Sequence, residues 1–478
     1  MNWQQISYSL SSLLILTGIA MLWPWGWSLY YGEADSSALL GAALITLLVG
    51  LSWRKSTKPI GELYNKETFC LVTFAWLLVS LVGTLPYLFT GTFTTFADAF
   101  FESLSGFTAT GATVLNDLEV LSHGVLFWRS LTHWLGGLGI IVLFLILVPS
   151  ANLGGVRIWQ TETPGGNMTA KFRPRVRETA KMLWLIYLLM TIAETVFLWI
   201  GGLSFFDALC HSFGTIATAG FSTKNASIGA YNSVIQWIII IFMFLAGTNF
   251  VLYYQFFLTR RISVFTRNSE FKLYLFLVGI ATSVIFIGSY SQVGLTFREV
   301  VFQVVSLLTT TGYSTADFAL WPSFGQVILV VLMFMGGCVG STSGGLKIRR
   351  VLILLKQVQL GLKQTLHPQA ILDLKIDGES ISPKVVVNVL RFFFLYCLLI
   401  FLGTMSLTLE GLDLVTAFTA AVASLGNIGP GLAGVGPSQN YGFLSAGGKF
   451  LLSFMMLLGR LELYAVLVLL QPSFWRRG

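Results

Sequence analysis

The segment Glu299–Thr315 reads EVVFQVVSLLTTTGYST. A carboxylate opens it, a run of about ten mostly apolar residues follows, and a Thr-Thr-Thr-Gly-Tyr turn closes it. An apolar run this short does not cross a bilayer, which takes about 20 helical residues. It suits a half-helix that enters the membrane and stops. The Gly-containing segment after it then lies at membrane depth, where irregular backbone is tolerated only if it is buried in protein or lines a water-filled cavity. Thr/Gly-rich backbone of this kind can replace the hydration shell of a cation with carbonyl oxygens.

The same pattern recurs. Asp98–Thr113 reads DAFFESLSGFTATGAT, Asp207–Thr223 reads DALCHSFGTIATAGFST, and Thr416–Leu432 reads TAFTAAVASLGNIGPGL. The turns carry Gly111, Gly220, Gly312 and Gly429. In the first three copies an acid (Asp98, Asp207, Glu299) stands 13 residues before that glycine, and Thr95, Ser204 or Thr296 stands three residues before the acid, a helix-start pattern. The fourth copy departs, with Asp413 standing 16 residues before Gly429.

Of 478 residues, 55% are hydrophobic and 10% charged, against about 25% charged in a soluble domain. The chain is therefore an all-α polytopic membrane protein. A net charge of +8 raises nucleic-acid binding, but the location of the charge argues against it. Five of the 29 Lys and Arg (Arg129, Lys224, Arg298, Lys449, Arg460) fall elsewhere, leaving 24 on segments assigned to one side. That side is cytoplasmic. Cys70, Cys210, Cys338 and Cys397 have no ligand spacing and read as core residues.

Apolar runs near 9–30 and 37–53 form an N-terminal helix pair, with Trp23, Trp25, Trp27, Tyr30 and Tyr31 between them as an interfacial belt. Four copies of spanning helix, half-helix and spanning helix follow. Their outer helices are expected near 69–90 and 126–149, 182–202 and 232–257, 272–291 and 324–349, and 386–408 and 446–470. With about ten spanning helices, the chain divides into residues 1–60 (helix pair), 61–155, 156–260 and 261–350 (repeats 1 to 3), 351–385 (cytoplasmic linker) and 386–478 (repeat 4). Each second helix carries a glycine at a similar offset: Gly137, Gly247, Gly337, Gly459. Internal repeats of this length decide an architecture. Basic loops at 150–181, 258–272 and 347–385 join the repeats, and both termini are expected in the cytoplasm.

The candidate ion-binding positions are Ala109, Thr110 and Gly111; Thr218, Ala219 and Gly220; Thr310, Thr311 and Gly312; and Asn427, Ile428 and Gly429. Glycine there allows unusual backbone dihedrals. Thr and Gly also allow close helix packing, a reading that four copies between spanning helices make the weaker one. The half-helix acids serve as caps or as attractors of cations. Gly336–Gly345, GGCVGSTSGG, interrupts an apolar run with five glycines, each costing about 1 kcal/mol in a helix. A loop through Gly336, Gly337, Gly340, Ser341, Thr342, Ser343, Gly344 and Gly345 beneath the turns reads as a gate or as a packing groove. Arg460, an ionisable residue inside an apolar helix, is a functional candidate, with Glu462 as an offsetting charge. His123, His133, His211 and His367 form no ligand set, and no enzyme constellation is visible.

TATGAT, TATAGFST, TTTGYST and NIGPGL, with GCVGSTSGGLKIRR and the terminal GRLELY, resemble the Trk/Ktr/HKT superfamily and, within it, the bacterial TrkH/TrkG branch, over essentially the whole chain. The resemblance implies a pseudo-fourfold potassium-uptake pore in the bacterial inner membrane, with filter glycines at Gly111, Gly220, Gly312 and Gly429. It also implies an intramembrane loop at Gly336–Gly345, a pore arginine at Arg460, potassium as the transported ion with no organic cofactor, a homodimer, and a cytosolic TrkA-type nucleotide-binding regulatory subunit. A secondary transporter coupling potassium to proton or sodium movement is the alternative, since broken helices at the midplane suit both.

Overall fold

The computed structural model describes residues 1–58, 65–137, 176–370 and 372–476. Helices α1 (Trp3–Ala20) and α2 (Leu22–Tyr31) make the first apolar run, and α3 (Ser36–Lys55) packs back against α1. Each repeat then opens with a long helix: α4 (Asn65–Val82) continued by α5 (Leu85–Phe89), α8 (Val176–Ile200), α12 (Ser269–Val293) and α16 (Pro383–Leu409). The half-helices are α6 (Phe96–Phe107), α9 (Phe205–Ala217), α13 (Phe297–Leu308) and α17 (Leu414–Gly426). The closing helices are α7 (His123–Gly137), α10 (Ser233–Ala246) with α11 (Phe250–Thr259), α14 (Ser323–Phe334), and α18 (Ala446–Arg460) with α19 (Tyr464–Leu467). Between α14 and α16 lie α15 (Ile348–Leu366) and one short hairpin, β1 (Lys375–Ile376) with β2 (Glu379–Ser380).

Six described helices are long and apolar enough to cross a membrane, and two further pairs qualify if each bent pair is one span. Ten spans were expected. The two outside this count are the one near 126–149, whose part beyond Gly137 lies outside the described residues, and the one near 324–349, where α14 stops after 12 residues. Most of the basic loop 150–181 and Arg477 also lie outside the described residues.

The second helices near 232–257 and 446–470, expected to be continuous, bend by 88° and 111°. The glycines at similar offset mark these places and give the reason. A methyl group on Gly247 would lie 2.7 Å from Thr309 Cγ2, one on Gly137 2.7 Å from Ala217 Cα, and one on Gly459 2.0 Å from the Leu425 carbonyl oxygen. These three closing helices thus meet the C-terminal end of a half-helix at a distance that only glycine permits, and at Gly247 and just past Gly459 the chain turns.

The half-helices start as their sequences direct. Thr95, Ser204 and Thr296 are N-caps whose hydroxyls accept from the amides of Asp98, Asp207 and Glu299. Around Thr296 the capping box is complete, with the Thr296 amide donating to Glu299 at 2.9 Å. The fourth copy solves the same problem differently. Asp413 is itself the N-cap, accepting from the Thr416 amide at 3.0 Å, which explains its earlier place in the chain. Removing a cap typically costs about 1 kcal/mol. Asp413→Ala is therefore expected to lower the thermal unfolding midpoint of the detergent-solubilised protein, while Asp413→Asn, which keeps the acceptor, leaves it nearly unchanged.

Candidate ion-binding site

All four half-helices end in the same backbone motif. The residue after the final turn (Ala109, Thr218, Thr310, Asn427) is left-handed, with φ between 53° and 58°. Its amide bonds back to the carbonyl three residues earlier. The next amide (Thr110, Ala219, Thr311, Ile428) bonds back five residues, to Ser105, Gly214, Ser306 and Ala423, at 2.8–2.9 Å. This is the Schellman closure of a helix C-terminus, built on residues other than glycine. A β-branched residue with positive φ is a true outlier, and strain of this kind gathers at functional sites. Sequence reasoning placed the unusual dihedrals at the glycines alone. That holds for Gly111, Gly312 and Gly429, with φ of 81°, 80° and 97°. It does not hold for Gly220, whose φ lies outside the left-handed region.

The four glycines close a ring. A methyl group on Gly111 would lie 2.6 Å from the Gly220 amide nitrogen, one on Gly220 2.7 Å from the Thr311 carbonyl oxygen, one on Gly312 1.8 Å from the Ile428 carbonyl oxygen, and one on Gly429 2.8 Å from the Thr110 carbonyl oxygen. Each copy touches the next in chain order and the fourth touches the first. Gly220 is thus needed for close approach, not for its dihedral. A cavity of about 160 Å³ is lined by all four glycines, with Ala112, Tyr441 and other residues around them.

The first two backbone amides of each turn are used by the helix ends, but the carbonyls are not. Among the described residues, the carbonyls of eleven of the twelve candidate positions accept no hydrogen bond; that of Gly429 accepts from the Tyr441 hydroxyl at 2.7 Å. Ten of the twelve residues are buried. Since well over nine-tenths of buried backbone groups are normally paired, so many free oxygens in one place are the chemical signature of the site. The C-terminal dipole ends of four helices border it, which also favours a cation.

Side chains tie the ring together. Asn427 Nδ2 donates to Thr110 Oγ1 and to the Met456 carbonyl, each at 2.9 Å. The Tyr313 hydroxyl donates to the carbonyls of His211 (3.3 Å) and Phe221 (3.2 Å). Thr108 and Thr110 share a hydrogen bond at 2.8 Å, and Thr309 and Thr311 share the matching one at 2.7 Å.

The glycine-rich segment crosses under the ring. Thr342 Oγ1 donates to the Ile216 carbonyl at 3.0 Å and accepts from Thr218 Oγ1 at 3.2 Å. The Gly344 amide donates to Thr310 Oγ1 at 2.7 Å. A methyl group on Gly344 would lie 2.4 Å from the Gly426 carbonyl oxygen. Arg460 joins this segment to the rest, donating to the Thr342 carbonyl at 3.0 Å and to the carbonyls of Gly136 and Gly137. The segment is thus held against all four repeats. Gly336, Gly337, Gly340, Ser341, Ser343 and Gly345 belong to the same irregular stretch; the Gly336 amide pairs with the Leu346 carbonyl at 2.9 Å, and Cys338 with that of Gly247 at 2.8 Å.

Two sequence expectations change. Glu462 lies past the end of α18 and forms a buried ion pair with Arg350, whose guanidinium also stacks on Phe392 at 3.9 Å. The Arg460 guanidinium keeps its charge and is solvated by the carbonyl oxygens of Thr342, Gly136 and Gly137. Three of the other four basic residues placed off the cytoplasmic side pair with acids: Arg129 with Glu102 at 2.8 Å, Lys449 with Asp98 at 2.6 Å, and Lys224 with Glu119 at 3.9 Å. Sequence reasoning gave Glu102 no role. The signal was an acid inside an apolar half-helix, the only one among the four copies at that depth.

A family model described as TrkH, cation transport protein, matches residues 35–477. The Trk system potassium uptake protein TrkH of Escherichia coli (strain K12) is 40% identical over 484 residues, covering 100% of both chains. The Trk system potassium uptake protein TrkG of the same strain is 35% identical over 98% of both. The crystal structure of the potassium transporter TrkH from Vibrio parahaemolyticus superposes with a TM-score of 0.90 at 35% identity, over 100% of each chain.

The ring makes a prediction about the glycines. Gly312→Ala combines a left-handed φ with a 1.8 Å clash, whereas Gly220 has neither so severely. Thermal stabilisation of the purified protein by potassium over choline chloride is expected to vanish in Gly312→Ala and to persist, reduced, in Gly220→Ala.

Proposed function

Because the chain belongs to the TrkH family of cation transport proteins, we propose that it is a potassium-uptake pore whose filter is the ring of peptide oxygens at Ala109–Gly111, Thr218–Gly220, Thr310–Gly312 and Asn427–Gly429. The observation that carries this reading is the closed contact of four equivalent turns whose carbonyls are left without hydrogen bonds. A potassium ion is the transported substrate. It sheds water at the outer cavity, and oxygen dipoles of modest field strength take the place of that water. The electrochemical gradient supplies the driving force.

Gly336–Gly345 is the gate. The segment lies below the filter, is rich in glycine, and is irregular backbone held through Thr342, Gly344 and Arg460, so release of those bonds would let it move. Arg460 is the latch. Its guanidinium binds Thr342 of the gate and the end of α7, and its fixed charge opposes cations on the cytoplasmic side of the filter. The membrane is the bacterial inner membrane with both termini cytoplasmic, in keeping with the basic residues of 258–272 and 347–385 on one side. That basic face suits a TrkA-type nucleotide-binding regulatory subunit as partner, and a homodimer is the proposed assembly.

Reconstitution in liposomes tests the reading. Rubidium flux exceeding sodium flux is expected in the presence of the regulatory subunit; no cation flux would reject it. A reversal potential that shifts with pH at fixed potassium would favour a coupled transporter instead. Arg460→Ala is expected to raise flux several-fold without changing the rubidium-to-sodium ratio, since removing one fixed charge near the ion path lowers a barrier worth about 1 kcal/mol or more. Gly312→Ser is expected to change the ratio with expression maintained.

A further inference from the structure

Glu102 and Arg129 form an ion pair with side chains 0% and 1% exposed. Its partners lie on two copies of the filter. Glu102 accepts from Thr113 Oγ1 at 2.9 and 3.0 Å and from the Val114 amide at 3.0 Å, just beyond Gly111. Arg129 donates to the Ser222 carbonyl at 3.2 Å and to Thr113 Oγ1 at 3.3 Å, and its guanidinium lies 4.0 Å from the centre of the Phe221 ring, just beyond Gly220. His133 stacks on the same ring at 4.1 Å. One charged pair therefore holds the exits of copies 1 and 2, at the place where Gly111 and Gly220 touch.

The other copies lack this device. Nine residues before the filter glycine stand Glu102, His211, Gln303 and Ala420; two residues after it stand Thr113, Ser222, Ser314 and Gly431. Glu102 bonds to Thr113, and His211 Nε2 lies 3.0 Å from Ser222 Oγ. Gln303 reaches only the Ala316 carbonyl, at 3.4 Å, and Ala420 with Gly431 has no side-chain bond to make. Copies 3 and 4 are held by neutral bonds from other half-helix positions, Ser306 Oγ donating to the Tyr313 carbonyl at 2.7 Å and Thr419 Oγ1 accepting from the Leu432 amide at 2.9 Å, so the charged grip belongs to copies 1 and 2.

We propose that Glu102 and Arg129 are positioning residues that fix the copy 1 and copy 2 half of the filter and so set its discrimination between potassium and sodium. This rests on the filter reading above. Ions differing by a fraction of an ångström are told apart only if the oxygens are held to a comparable tolerance, and a desolvated, charge-assisted pair bonded to both filter exits is a stiff tie near the ring. Glu102 is fully buried, and Arg129, which borders the outer cavity, is itself a cation and supplies no oxygen to an ion.

The test uses the full chain in liposomes, with rubidium and sodium fluxes measured for Arg129→Lys, Glu102→Gln, Thr113→Val and Gly312→Ser, and with monodispersity checked for each. In Arg129→Lys the rubidium-to-sodium ratio is expected to fall roughly tenfold, the scale of one charge-assisted hydrogen bond, with a smaller fall in Thr113→Val. A purely structural role would lower folded yield and leave the ratio unchanged. If Gly312→Ser changes the ratio and the folded pair variants do not, the positioning role is overturned while the filter stands. If Gly312→Ser also leaves it unchanged, the filter reading itself fails. Should both pair variants fail to fold, Thr113→Val decides, and an unaltered ratio there overturns the inference.

Discussion

A buried peptide oxygen without a hydrogen-bond partner is costly, at about 1–3 kcal/mol each, and among the described residues this protein gathers nine of them around one ring, with two more on the half-buried Gly111 and Gly220. The rest of the structure can be understood as the apparatus that keeps them there. Helix ends take up the first two amides of each turn, and the carbonyls beside them meet no local donor. Glycines bring neighbouring copies so close that no side chain can step in. Oxygens left in this way favour a ligand that carries positive charge, as the proposed filter requires.

Holding such an arrangement falls to elements further out. N-caps start each half-helix at a fixed register, whether the acid lies at the third helical position, as in Asp98, Asp207 and Glu299, or is the cap, as in Asp413. The closing helices bend at Gly247 and just past Gly459, where they meet the half-helix ends. The glycine-rich stretch beneath the ring is pinned by Thr342, Gly344 and Arg460 to parts of the chain more than a hundred residues apart in sequence, or more than thirty in the case of Thr310. Site and scaffold are one network, within a chain that the TrkH family model matches over residues 35–477.

Much of this was legible in the residues. Recurrence marked the half-helices, three of their four caps and the ring glycines, and five glycines in Gly336–Gly345 marked the interrupted helix of repeat 3, because each depends on local pattern. What escaped was set by long-range packing. The bends at Gly247 and Gly459 leave no Pro signal; they come from contact with Thr309 and Leu425. The left-handed Thr218 and Thr310 run against their own propensity, and tertiary contacts impose it. Arg460 was matched to Glu462 by proximity in sequence, but Arg350 claims that carboxylate from over a hundred residues away. Glu102 was overlooked because its partner lies on another helix.

The most direct test is to locate the ion. Rubidium or thallium soaked into crystals of the protein should give anomalous density on the axis of the ring, within coordination distance of the carbonyls of Thr110, Ala219, Thr311 and Ile428, and the density should weaken in Gly312→Ser. Density bound only at side-chain carboxylates away from that axis, with none among those four oxygens, would contradict the account.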